Sequence, residues 1–127
     1  MSDSEEINNK KFKAFFDENI TSIVTGAFTG KQLTSVVIPE FVTSIGTAAF
    51  WNNRITSLTI PKSVTSIGIR AFQGNQLTSV DIPNSVTSIG AHAFTNNQIK
   101  FVHIPISVTN LDDNAFDKGV EIYFQYN

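Results

Sequence analysis

Side chains able to do chemistry are few in this sequence, and their spacing scatters them. The 127 residues include two histidines and no cysteine, which removes thiolate nucleophiles, thiolate zinc sites and any disulfide framework. Ser79, Asp81 and His103 have the composition of a hydrolytic triad, with Ser79 and Asp81 at i and i+2 on one strand face. A flat strand face offers no paired N–H donors for an oxyanion and no pocket that excludes water, so the expectation is a surface Asp81–His103 contact rather than catalysis. His92 falls in a turn away from His103, and two separated histidines make no metal site. Asp112, Asp113 and Asp117 are grouped without the glycine and spacing of a calcium loop, and no glycine-rich phosphate cradle occurs. No catalytic residue, metal or cofactor is expected.

Bulk composition narrows the partners. Nine Lys and Arg stand against 11 Asp and Glu, for a net charge of −2. Binding to nucleic acid or an anionic membrane draws on clustered basic residues, which are missing. No apolar run approaches the length that spans a bilayer. The start, MSDSEEINNKK, is acidic and polar and does not read as a secretory signal. Eleven Phe against one Trp and one Met indicate one side chain reused in one role.

That role is set by an internal repeat. Ile38-Pro39, Ile60-Pro61, Ile82-Pro83 and Ile104-Pro105 recur every 22 residues, as do Val42-Thr43, Val64-Thr65, Val86-Thr87 and Val108-Thr109. Ala27-Phe28 returns as Ala49-Phe50, Ala71-Phe72, Ala93-Phe94 and Ala115-Phe116 at the same period. Units begin near residues 20, 33, 55, 77 and 99, the first being partial. A fixed period of this length means a solenoid whose units cannot bury their apolar faces alone. In LTSVDIPNSVTSIGAHAFTNNQ, Val80 and Ile82 alternate with Ser79 and Asp81 as one side of a strand. Pro83 should end pairing there, since it has no N–H to donate. Val86 and Ile89 mark a second extended segment, and Gly90 allows a tight turn or a close backbone approach.

Stacking at the strand spacing, roughly 4.8 Å, turns equivalent positions into columns. Phe28, Phe50, Phe72, Phe94 and Phe116 should form an interior aromatic column with offset rings. Asn53, Asn75 and Asn97 should form a buried amide ladder, and Thr and Ser columns should face outward. Residues 20–119 are thus the repeats, 1–19 an N-terminal cap and 120–127 a C-terminal capping strand. The cap reads as a short helix with Phe12, Phe15 and Phe16 on one stripe, or alternatively as a strand. At the other end Val120, Ile122 and Phe124 alternate as a last strand whose free edge can recruit a second chain, giving a homodimer. Val24 replaces the VTSIG glycine in the first unit, so either that turn differs or the glycine serves close packing rather than positive φ.

The unit LTSVxIPxSVTSIGxxAF resembles the BspA-like, or Treponema pallidum-type, leucine-rich repeat family, from Ile20 to about Phe116. The resemblance implies an α/β leucine-rich-repeat solenoid, β-rich, of about five right-handed coils with a parallel sheet on the concave side and a short helical cap. It also implies a bacterial surface or secreted protein that adheres to a protein partner such as a host matrix protein or receptor. The family often places Cys where Asn53, Asn75 and Asn97 stand, and its shared residues build scaffold, so no catalytic residue carries over.

Function should then lie where one unit departs from the others. The fourth unit carries Lys100, Phe101, His103 and Ile106 where earlier units carry mostly small or polar residues, and Asp81 is the neighbour of His103 in the third. Two readings follow: C-terminal elements fold over these side chains as part of the cap, or they are an exposed protein-binding hot spot. Phe41 and Trp51 also depart from Ser and Thr or Gln positions, and with Arg54 they define a second patch, either a carbohydrate stacking platform or scattered surface aromatics. A structural or self-associating spacer is the rival to protein binding.

Overall fold

The structure is a computed structural model that describes residues 19–126. Its strands are β1 (Ser22–Ile23), β2 (Ser35–Val37), β3 (Ser44–Ile45), β4 (Ser57–Thr59), β5 (Ser66–Ile67), β6 (Ser88–Ile89), β7 (Phe101–Pro105), β8 (Asn110–Leu111) and β9 (Glu121–Gln125). Every pairing is parallel, as expected of successive coils in a solenoid. The register within the repeats is the sequence period: Ser22 pairs with Ser44, Ser44 with Ser66 and Ser66 with Ser88.

The interior is the expected set of columns. Phe28, Phe50, Phe72, Phe94 and Phe116 stack in sequence with centroids 5.2–5.5 Å apart and planes within 13° of parallel. Centroid separations of this size lie in the range of favourable aromatic pairs. Phe50, Phe72 and Phe94 are shut off from solvent, ringed by the Ile, Leu and Val columns. Asn53, Asn75 and Asn97 run beside them. The Asn53 amide donates to the carbonyls of Phe28 and Phe50, and its oxygen accepts from the backbone of Lys31 and Leu33. Asn75 and Asn97 repeat the arrangement one and two coils on, although Asn97 is only half-buried.

Two expectations are corrected. No helix occurs among the described residues, so the fold is a β-solenoid rather than α/β, and the helical cap expected over residues 1–19 lies outside them save for Asn19. Each coil turns at its AF segment, where Ala48, Arg70 and His92 have φ near +60°. Left-handed residues at this point of these coils stop a helix from propagating.

The second correction concerns the sheet. The LxxVxI segments, expected to form one continuous concave sheet, pair only as β2–β4 and β7–β9, and residues 78–82 form no strand. The continuous sheet is instead β1-β3-β5-β6-β8, built from VTSIG. The glycines that follow it explain this. Gly46, Gly68 and Gly90 have no positive φ, and a Cβ on any of them would meet backbone of the preceding coil at 2.8–3.1 Å. Glycine therefore serves close packing, holding the coils at bonding distance on that side. Val24, which replaces it in the first coil, is 65% exposed with no described coil beneath it. The strand also runs on through Pro105 in β7, where pairing was expected to stop. β9 bonds the backbone of Lys100 and Ile106, so the proline falls on the alternate residues whose N–H groups point away from β9.

Candidate functional site

The last coil is where the repeat breaks. Equivalent strands elsewhere are offset by 22 residues, but β7 pairs with β9 at an offset of 20, Phe101 opposite Glu121 and His103 opposite Tyr123. Residues opposite each other in a parallel pair share a face, so Phe101, His103, Glu121 and Tyr123 stand together on the outward side while Val102 and Ile104 fill the core.

These side chains form one aromatic cluster. The His103 ring lies over that of Tyr123 at 5.5 Å, and Phe101 meets both edge-on, at 5.9 Å from His103 and 6.4 Å from Tyr123. Phe101 remains 54% exposed and Ile106 47%, with Lys100 and His103 also open to solvent. The C-terminal strand sits beside them, not over them, so the reading in which the cap buries Phe101 and His103 is not what the chain adopts. The Tyr123 hydroxyl donates to a Glu121 carboxylate oxygen at 2.9 Å. That hydrogen bond, and then the nearby negative charge, hold the phenol above its ordinary pKa. An open groove of about 970 Å³ adjoins the cluster, running from Lys100 and Phe101 to the turn at Lys118 and Gly119.

Glu121 did not emerge as the neighbour of Phe101 from the repeat, nor Tyr123 as that of His103, because the 22-residue period sets Tyr123 opposite Phe101. The signal that finds the true register is the pair Ile122 and Phe124, which falls on Val102 and Ile104 only at the shorter offset.

The remaining candidates lie apart. Asp81 is exposed in a stretch without strand pairing, and no hydrogen bond or ion pair joins it to His103, whose ring partners are Phe101 and Tyr123. The expected Asp81–His103 contact is therefore absent, and Ser79, Asp81 and His103 do not converge. Phe41, 61% exposed, lies in the turn between β2 and β3, whereas Trp51, 36% exposed, and Arg54 lie between β3 and β4. No ring contact links Phe41 to Trp51 among the described residues. The column that holds Trp51 is more buried than expected: Thr29 and Gln73 are half-buried and Thr95 is buried, with Gln73 donating to the Thr95 hydroxyl. Asp117 ends that column by accepting from the backbone N–H of Asn96 and Asn97, and Asp112 accepts from that of Asn114. Two of the three grouped carboxylates thus hold turns. Among the described residues no group of three His, Asp or Glu is placed to hold a metal ion, and no helix is long and apolar enough to cross a membrane.

Known proteins share this architecture. A leucine-rich repeat protein from Eubacterium ventriosum is 32% identical with a TM-score of 0.78, the match covering 87% of this chain and 31% of that one. A leucine-rich cell surface protein from Faecalibacterium prausnitzii is also 32% identical at a TM-score of 0.78, covering 91% of this chain and 31% of its own. This chain thus spans less than a third of the length of either. The Treponema pallidum leucine-rich repeat protein shares the fold at 18% identity and a TM-score of 0.51, with 88% of this chain and 72% of that one aligned. No curated protein matches the sequence. The sequence model of the BspA type leucine-rich repeat region matches six copies over residues 4–122, so it also takes in most of the segment expected as a cap, and the chain belongs to that family.

Proposed function

We propose that this protein is a non-catalytic protein-binding module of the bacterial surface or secreted adhesion type. It captures a protein partner, such as a host matrix protein or receptor, through the face built by β7 and β9. Leucine-rich repeats are generally protein-interaction modules, and one similar structure is of a cell surface protein. The observation that carries the reading is the Phe101–His103–Tyr123 cluster. Three mutually packed rings left open to solvent are an exposed apolar patch that one cross-strand ring pair does not require, and aromatic residues on a rigid sheet form binding hot spots at low entropic cost. Lys100 and Ile106 flank the cluster, and Asp81 lies on the next coil towards the N-terminus.

Surface plasmon resonance against a panel of extracellular-matrix proteins tests the proposal. Phe101→Ala with His103→Ala should weaken a detected interaction by at least about tenfold while the melting temperature stays unchanged. Binding that survives this change but is lost with Trp51→Ala, particularly on a glycan array, would replace it with carbohydrate recognition by the turn residues. Binding to no panel member, with self-association altered by changes at Tyr123 or Phe124, would favour the spacer reading.

A further inference from the structure

The outer edge of β9 is complementary to itself, and we infer that two copies of this chain pair through it as a two-fold symmetric dimer. The backbone N–H of Glu121 donates to Lys100, and the carbonyl of Gln125 accepts from Ile106. In a parallel pair the bonding residues alternate, so Glu121, Tyr123 and Gln125 bond to β7, and the N–H and C=O groups of Ile122 and Phe124 point to the free edge. No strand among the described residues pairs there.

Edges are usually guarded by Lys, Pro, bulges or shortness. β1 and β8, the edges of the continuous sheet, are two residues long each, but β9 is five, with sequence EIYFQ and none of the other guards. On its core-facing side Ile122 and Phe124 are 39% and 56% exposed, although their partners Val102 and Ile104 are buried. Among the described residues no further layer covers them.

An antiparallel second β9 centred on Tyr123 meets each of these needs. It sets Ile122 opposite Phe124 of the other copy, twice, as hydrogen-bonded pairs that use the outward N–H and C=O groups on both strands. Tyr123 faces its own counterpart as the intervening non-bonded pair. Glu121, the only charge in the strand, meets Gln125 and not another carboxylate. Opposite residues share a face, so Ile122 and Phe124 of the two copies cover one another and the cores become continuous. Such an isologous interface closes at two subunits and leaves neither β9 edge open. The two aromatic clusters become neighbours, because Tyr123 belongs to both.

Cysteine cross-linking reads the register, since the chain has no native thiol. Non-bonded antiparallel partners have Cα atoms about 4.5 Å apart, within disulfide reach. Tyr123→Cys should therefore oxidise to a dimer at twice the monomer mass of 14.0 kDa, many-fold faster than Gln125→Cys, also at an exposed position, whose own counterpart lies beyond bridging distance. Sedimentation velocity should show a concentration-dependent dimer that I122K/F124K converts to monomer with an unchanged circular-dichroism spectrum. The inference is overturned by a wild-type monomer at the highest attainable concentration, by equal cross-linking of the two cysteine variants, or by a dimer that I122K/F124K leaves intact. None of these readouts depends on finding a protein partner.

Discussion

The side chain of Asn75 spans two coils: its amide nitrogen donates at 3.0 Å to the carbonyls of Phe50 and Phe72, and its oxygen accepts from the backbone of Ile55. Only an uncharged amide supplies two donors and an acceptor in that space. Asn75→Ala should cost about 2 kcal/mol by leaving the Ile55 N–H unpaired and removing one of the two amide donors shared by each of the Phe50 and Phe72 carbonyls, which keep Asn53 and Asn97, and Asn75→Asp more, because a carboxylate there would face two carbonyls. Urea denaturation measures both, and an aspartate variant no less stable than the alanine one would refute the donor roles. The column itself was legible from the period, as was the buried phenylalanine stack. What the period did not disclose is how each rung is satisfied. Thr95 is buried where Trp51 is 36% exposed, because the turn that carries them is stapled differently in each coil. The exposure of Phe101 and His103 was open in the sequence for a related reason: it depends on where β9 docks, a tertiary outcome that periodicity does not determine.

At the level of elements, the glycines explain which strands pair. Their amides reach the preceding coil at 2.7 Å for Gly46, 2.8 Å for Gly68 and 2.9 Å for Gly90, but the bond is 3.1 Å at Asp112, where a side chain occupies the same position. Gly68→Ala would drive a Cβ to 2.8 Å from the backbone carbon of Gly46 and the nitrogen of Thr47, neither of which can swing aside. It should cost about 1–3 kcal/mol by overpacking. Ala48→Gly, at φ +58°, should cost nothing, since it relieves left-handed strain. Differential scanning calorimetry of the pair decides the matter: equal melting temperatures would mean that the glycine is not the spacer. The alternation in residues 79–82 correctly placed Val80 and Ile82 inside, yet those residues join no ladder. Facing is encoded locally by period two, whereas pairing depends on the distance between coils, which is set on the opposite side by glycine.

Across the described residues, those that recur every 22 positions build one continuous core, and Phe101 and Ile106, which break the recurrence in the fourth coil, remain exposed. Each coil touches only its neighbours, so losing one rung of the aromatic column weakens the array at its centre. Phe72 is fully buried between Phe50 and Phe94, whereas Phe101, of the same residue type, is 54% exposed on the β7 face. Equilibrium denaturation of Phe72→Ala beside Phe101→Ala compares the two roles at constant side-chain chemistry. The account predicts a loss of about 3–5 kcal/mol for Phe72→Ala and less than about 1 kcal/mol for Phe101→Ala. Comparable losses from both substitutions would contradict it.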